Sequence, residues 1–257
     1  MAGSEDRIGG RRAVGVAGAT SRGPGGSESD RIEPFEADAP GGDEPMSAAQ
    51  AFRMRIFLVG AGGTLGRAVA AELGTRHHII TAGRKSGDFR LDLSDPASLR
   101  KALAGSAPLD AVVCTAGEVA FAPLSAIHPA PIGESAHTLG LTHKLMGQVN
   151  LALAAREYLV DGGSITLTSG ILSEQPIAGG SSASMVNGAL EGFVRAAAVE
   201  LPRGIRINLV SPSILVESMA AFGSFFRGFE PVAGARAALA YSRSVEGIQT
   251  GQIYRVY

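Results

Sequence analysis

The sequence predicts an α/β protein, a doubly wound parallel sheet in a single domain, and two observations carry that prediction. The first is the stretch from Met54 to Leu73. A continuous apolar run over residues 56–59, short enough for a buried strand, breaks into Gly60-Ala61-Gly62-Gly63-Thr64-Leu65-Gly66. Apolar residues then recur at helical spacing through Leu65, Val69 and Leu73. The second observation is that strand-like runs and helical stretches alternate from there to the C-terminus, which implies parallel strands covered by helices on both faces.

Taken in order, residues 1–53 are rich in Gly, Ser, Asp, Glu and Arg and poor in aliphatic residues. Such a segment cannot bury enough apolar surface to offset its ordering entropy and is expected to be a disordered extension ahead of a domain spanning 54–257. Residues 78–82 read as the second strand and 89–93 as a short third. Ser94-Asp95-Pro96 caps the helix that follows, with Pro96 in its first turn. The fourth strand is placed at 110–115, a long helical region at about 134–158, the fifth strand at 163–169 and another helix at 182–201. A sixth strand at 205–210, two short helical patches between 216 and 241, and a last strand at 251–256 complete the chain.

The bulk numbers exclude several classes. The 257 residues carry a formal net charge of −1 with no basic block, which argues against a nucleic-acid footprint. No apolar stretch approaches the roughly 18 residues of a membrane span, and the N-terminus has no apolar secretory core. The single Cys114 lies in an apolar strand and reads as a small buried hydrophobe. Zinc-ligand spacing is absent, so no metal is implied. These features fit a cytoplasmic protein.

The glycine turn is where chemistry enters. Strand, glycine turn and helix are the parts of a nucleotide-binding unit. Gly60 allows the tight turn, Gly63 lets a pyrophosphate approach the backbone, and Gly66 lets helix and strand pack closely. Thr64 and Leu65 open the helix, whose N-terminus offers free N–H groups and a partial positive charge to phosphate. About 20 residues further on, an acidic side chain would accept from the ribose 2′-hydroxyl of NAD. The chain offers Arg84-Lys85-Ser86 instead, suited to a 2′-phosphate, so NADP is preferred over NAD.

The order of these features resembles the short-chain dehydrogenase/reductase superfamily over nearly all of residues 54–257. The glycine turn is similar to that family's cofactor fingerprint, Asp92-Leu93 to its adenine-contacting Asp-Val pair, and Thr115-Ala116-Gly117 to its Asn-Ala-Gly motif. Residues 163–169 resemble the strand that ends in the catalytic serine, here Ser169. Residues 189–193 and 204–212, ending at Pro212, match two further stretches. The resemblance implies a Rossmann-like fold, a small-molecule carbonyl or alcohol substrate, no nucleic-acid or membrane partner, and a homo-oligomer.

The same alignment departs from the family at its proton relay. Ala183 stands where the family has its Tyr, Asn187 where it has its Lys, and Lys144 where it has a helix-borne Asn. Ser169 alone is retained. Ser169 can donate to an oxyanion, and the Lys144 ammonium can stabilise an alkoxide or exchange a proton. Asn187 can bond ribose hydroxyls without supplying charge. His128, His137 and His143 fall nearby and read as surface or loop residues. Met219, Phe222, Phe225 and Phe226 form a lid that suggests an apolar substrate. Three functions remain open: an NADP-dependent oxidoreductase with an altered proton donor, a cofactor-binding sensor or partner protein without turnover, and a non-redox enzyme on this scaffold.

Overall fold

The structure is a computed structural model and describes residues 53–257. Apart from Arg53, the extension expected to be disordered lies outside the described residues. The strands are β1 (Arg55–Val59), β2 (His78–Gly83), β3 (Phe89–Arg90), β4 (Leu109–Cys114), β5 (Leu159–Thr168), β6 (Arg206–Pro212) and β7 (Ile253–Val256). They form one sheet in the order β3-β2-β1-β4-β5-β6-β7, parallel at every pairing. The helices are α1 (Thr64–Gly74), α2 (Pro96–Ser106), α3 (Gly147–Ala155), α4 (Ser181–Glu200), α5 (Met219–Phe222) and α6 (Gly234–Glu246).

A strand buried on both faces needs apolar residues at every position, because successive side chains point to opposite sides. In β1, Ile56 and Leu58 join Val69 and Leu73 of α1 and Ala237, Tyr241 and Val245 of α6 in one core. Phe57 and Val59 join the other, with Leu99 and Leu103 of α2, Leu151 of α3, and Leu190 and Val194 of α4. The apolar run at 56–59 is thus the signature of a central strand. The α2 cap is as expected: the Asp95 side chain accepts from the Ala97 N–H at 2.8 Å, with Pro96 beginning the helix.

Four elements differ from expectation, the simplest being the fifth strand, which begins at Leu159 rather than 163. The third strand stops at Arg90, because the Asp92 carboxylate accepts the Ser94 N–H at 2.9 Å and its hydroxyl at 2.7 Å, turning the chain away. The helix expected over 134–158 is a 3₁₀ turn (Ala136–Thr138), a π-helical segment (Leu141–Met146) and α3. Its course is set by packing at two glycines: Gly140 lies against Val119 and Val186, and Gly147 against Leu93. In the last region the first helical patch is α5 flanked by 3₁₀ turns at Val216–Ser218 and Gly223–Phe225. The helix expected to finish by 241 runs to Glu246, carried on by the buried stripe of Ala237, Ala238, Tyr241 and Val245. Among the described residues no helix is long and apolar enough to cross a membrane.

Candidate active site

Strand order reverses between β1 and β4, and ligands of such sheets sit outside the carboxyl ends of the strands at that point. Two cavities open there. The first, about 560 Å³, is walled by the glycine turn (Gly60, Gly62, Gly63), by Arg84, Lys85 and Ser86 after β2, by Asp92 and Leu93, by Thr115, Ala116, Gly117 and Glu118 after β4, and by His143.

The turn is built by close packing. Gly60 has φ +89°, and a Cβ there would fall 2.9 Å from both the Ala116 Cβ and the Thr115 hydroxyl oxygen. Thr115 ties β4 to β1, donating to the Val59 carbonyl through its N–H at 2.9 Å and its hydroxyl at 3.1 Å. A Cβ on Gly66 would run into the Gly60 backbone, so helix and strand touch there. No side chain caps the α1 N-terminus, which leaves its first N–H groups available to a ligand. Arg84 forms an ion pair with Glu118, both about half exposed.

The second cavity, about 240 Å³, is lined by Lys144, Ser169, Asn187 and Pro212 and by apolar side chains that include Val119, Phe121, Leu172, Ala183, Ile214, Phe222 and Phe226. Lys144 lies on the π-helical segment, a geometry that recurs at functional sites. Its Nζ donates to the Asn187 Oδ1 at 2.8 Å and to the Ser169 carbonyl at 3.0 Å. Asn187 is held in turn by a bond from its Nδ2 to the Gly170 carbonyl at 3.2 Å. Burial pushes the Lys144 ammonium down from 10.5 to about 8. The Ser169 hydroxyl is buried and has no hydrogen-bond partner, although its N–H donates to the Val210 carbonyl at 2.9 Å.

Behind the cavity, Gln148 is wholly buried, and its amide serves both backbone groups of Thr168. Its Nε2 donates to the carbonyl at 2.9 Å and its Oε1 accepts the N–H at 2.8 Å. The β4–β5 pairing ends at Val113 and Thr166, so Gln148 takes the place of a strand neighbour just before Ser169.

Of the residues expected from sequence, Gly60, Gly63, Arg84, Asp92, Leu93, Thr115, Ala116 and Gly117 meet around the first cavity. Lys144, Ser169, Asn187 and Pro212 meet around the second. Thr64, Leu65 and Gly66 lie in the first turn of α1, off both walls. Of the expected lid, Phe222 and Phe226 line the second cavity. Phe225 is stacked on Phe121 with ring centroids 6.4 Å apart, and Met219 packs with the cluster around Ile171. His128 is exposed, and the His137 carbonyl accepts from the Ser182 hydroxyl. His143, read as a surface or loop residue, belongs to the first cavity wall. Sequence reasoning missed Glu118 and Gln148 as well. Glu118 directly follows the Thr-Ala-Gly motif and was the more findable of the two.

Comparison with known proteins agrees with this architecture. A family model described as enoyl-(acyl carrier protein) reductase matches residues 67–250. No curated protein matches the chain. Among solved structures, the protein lin1944 from Listeria innocua is 45% identical over 79% of this chain and 100% of its own, with a TM-score of 0.76. A small-chain dehydrogenase in complex with NADPH is 24% identical over 80% of this chain and 97% of its own, with a TM-score of 0.69. A short-chain dehydrogenase from Burkholderia cenocepacia in complex with NADP is 22% identical over 79% of this chain and 96% of its own, also with a TM-score of 0.69. On its glycine turn, its sheet order and the family model that spans most of its length, the chain belongs to the short-chain dehydrogenase/reductase superfamily.

Proposed function

We propose that the chain is an NADP(H)-dependent oxidoreductase acting on a small carbonyl or alcohol substrate, with Lys144 and Ser169 serving the substrate oxygen. The observation that carries this reading is the junction of the two cavities. Gly117 is on the wall of the first, and a Cβ on it would fall 2.5 Å from the Lys144 Cγ. The Lys144 stem therefore stands against the nucleotide cavity while its ammonium faces the second cavity.

The first cavity fits a dinucleotide phosphate. The side-chain-free turn of Gly60, Gly62 and Gly63 adjoins an uncapped helix N-terminus whose Thr64 and Leu65 N–H groups suit a pyrophosphate. Arg84, Lys85 and Ser86 offer charge and hydrogen bonds to a 2′-phosphate, and Asp92 and Leu93 border the adenine end. When bound, the cofactor supplies or takes up a hydride. Asn187 and Pro212, on the wall of the second cavity, would hold the nicotinamide ribose and carboxamide. The Ser169 hydroxyl and the Lys144 ammonium are the donors for oxygen charge developing in the second cavity. An ammonium pushed to about 8 can also exchange a proton near neutral pH.

A second reading, a cofactor-binding protein without turnover, is favoured by Ala183. It is 2% exposed and stands at the family's Tyr position, leaving no phenol at the cavity. Absorbance of the reduced nicotinamide, followed with NADPH and a panel of carbonyls, separates the two. Turnover that falls about 10²–10⁴-fold in Lys144→Ala is expected from the loss of a placed general acid. NADPH binding with no turnover on any carbonyl selects the second reading, and full activity in Lys144→Ala removes Lys144 from the mechanism.

A further inference from the structure

The second cavity holds a charge that nothing beside it balances. Lys144 is the only charged residue on its wall among the described residues, and its two partners there, the Asn187 amide oxygen and the Ser169 carbonyl, are neutral. An ammonium has three donors, and two are used. Removing such a group from water without an opposite charge is costly, so the arrangement is incomplete without an anion. A second donor waits beside it. The Ser169 hydroxyl, 4% exposed, lines the same cavity with no partner. The remaining wall is largely aliphatic and aromatic, and includes Phe121, Phe222, Phe226, Leu172, Ala183 and Ile214. At about 240 Å³ it exceeds the roughly 150 Å³ known to admit benzene, which leaves space for one ring and an attached polar group.

We propose that the substrate of this cavity carries a carboxylate in addition to its reacting carbonyl or alcohol, on an apolar body about one ring in size. The carboxylate takes the unused donor of the Lys144 ammonium, the reacting oxygen lies beside it within reach of the Ser169 hydroxyl, and the body lies against the phenylalanine side chains. The inference rests on the reading of this cavity as the substrate site and adds the charge of the substrate to it.

The test is calorimetric titration of the full chain with benzoate and with benzamide, which match in shape and differ in charge. Benzoate is expected to bind at least about tenfold more tightly, the range of a charge-assisted bond over a neutral one. In Lys144→Met the two ligands should bind within about threefold of each other. Ala183→Leu, which takes up space in the cavity and leaves the lysine in place, should abolish benzoate binding and provides a second line should the lysine variant fail to fold. Equal affinities in the unaltered protein overturn the proposal, as does a benzoate preference that survives either substitution. NADPH is titrated into the same samples. Benzoate discrimination without NADPH binding upholds this inference and retires the cofactor reading, whereas NADPH binding without discrimination retires this inference alone.

Discussion

Arg84 shows how a single side chain divides its loyalties. Its guanidinium is paired with Glu118 across the first cavity, so a 2′-phosphate must draw it from one anion to another. Both groups are about half exposed, and an exposed pair of this kind contributes at most about 1 kcal/mol. A charge-assisted bond to phosphate is worth about 1.5–3 kcal/mol, so the phosphate wins. NADPH is accordingly expected to bind about tenfold to a hundredfold more tightly than NADH, and Arg84→Ala should narrow the ratio. Parallel titrations of both cofactors check this, and an unchanged ratio in the variant would remove Arg84 from the site. At Lys144 the displaced pKa makes stability depend on pH. The unfolded chain holds this proton up to about 10.5 and the folded chain only to about 8, so between those values the unfolded state binds more protons. Stability should therefore rise with pH between about 8 and 9, by at most about 1.4 kcal/mol per unit. Above that the Cys114 thiol, which burial keeps protonated in the fold but which ionises near 9 in the unfolded chain, offsets the rise. Urea titrations at several pH values test it, and Lys144→Met should flatten the rise.

The elements that position these residues were unevenly legible. The glycine turn could be read because everything it needs is local, seven consecutive residues with a strand before and a helix after. The Lys144–Asn187 contact could not, because its partners are 43 residues apart on separate helices. Nor does apolar periodicity distinguish a π-helical segment at 141–146 from the α-helix it interrupts. The end of the third strand was missed because a side-chain bond, from Ser94 to Asp92, overrode an alternating pattern. Gln148 was invisible for a related reason: a glutamine on a helix reads as surface until the sheet is assembled. Gln148→Leu removes the partners of the Thr168 N–H and C=O together, at about 1–3 kcal/mol for each buried group left unsatisfied. Chemical denaturation should show a loss in that range, with catalysis falling further because Ser169 is next in the chain. A loss below about 0.5 kcal/mol would mean that the amide has no structural role.

At the scale of the whole molecule, the parallel sheet followed from the alternation of strands and helices, and the two layers from the unbroken apolar strands. Both main core clusters and both cavities lie within residues 54–257. A chain shortened to begin at Met54 is therefore expected to melt within a few degrees of the full protein and to titrate with NADPH alike. Precipitation, or a marked fall in melting temperature, would count against this division.

The lysine and asparagine bonded to each other on the wall of the second cavity also limit the routes by which this protein can be reached from a relative with the opposite arrangement. Starting here, Asn187→Lys alone would set two ammonium groups nearly in contact, a repulsion of about 4 kcal/mol at protein-surface screening. Lys144→Asn alone would leave two amides and no cation. Either single step crosses a valley, and only the paired exchange lands on firm ground again. Lys144→Asn combined with Asn187→Lys should accordingly be more stable than Asn187→Lys and more active than Lys144→Asn. Simple additivity of the two single changes would show that the valley does not exist. Non-additivity would instead mean that lineages carrying the two arrangements are separated by a double substitution, with few viable ancestors in between.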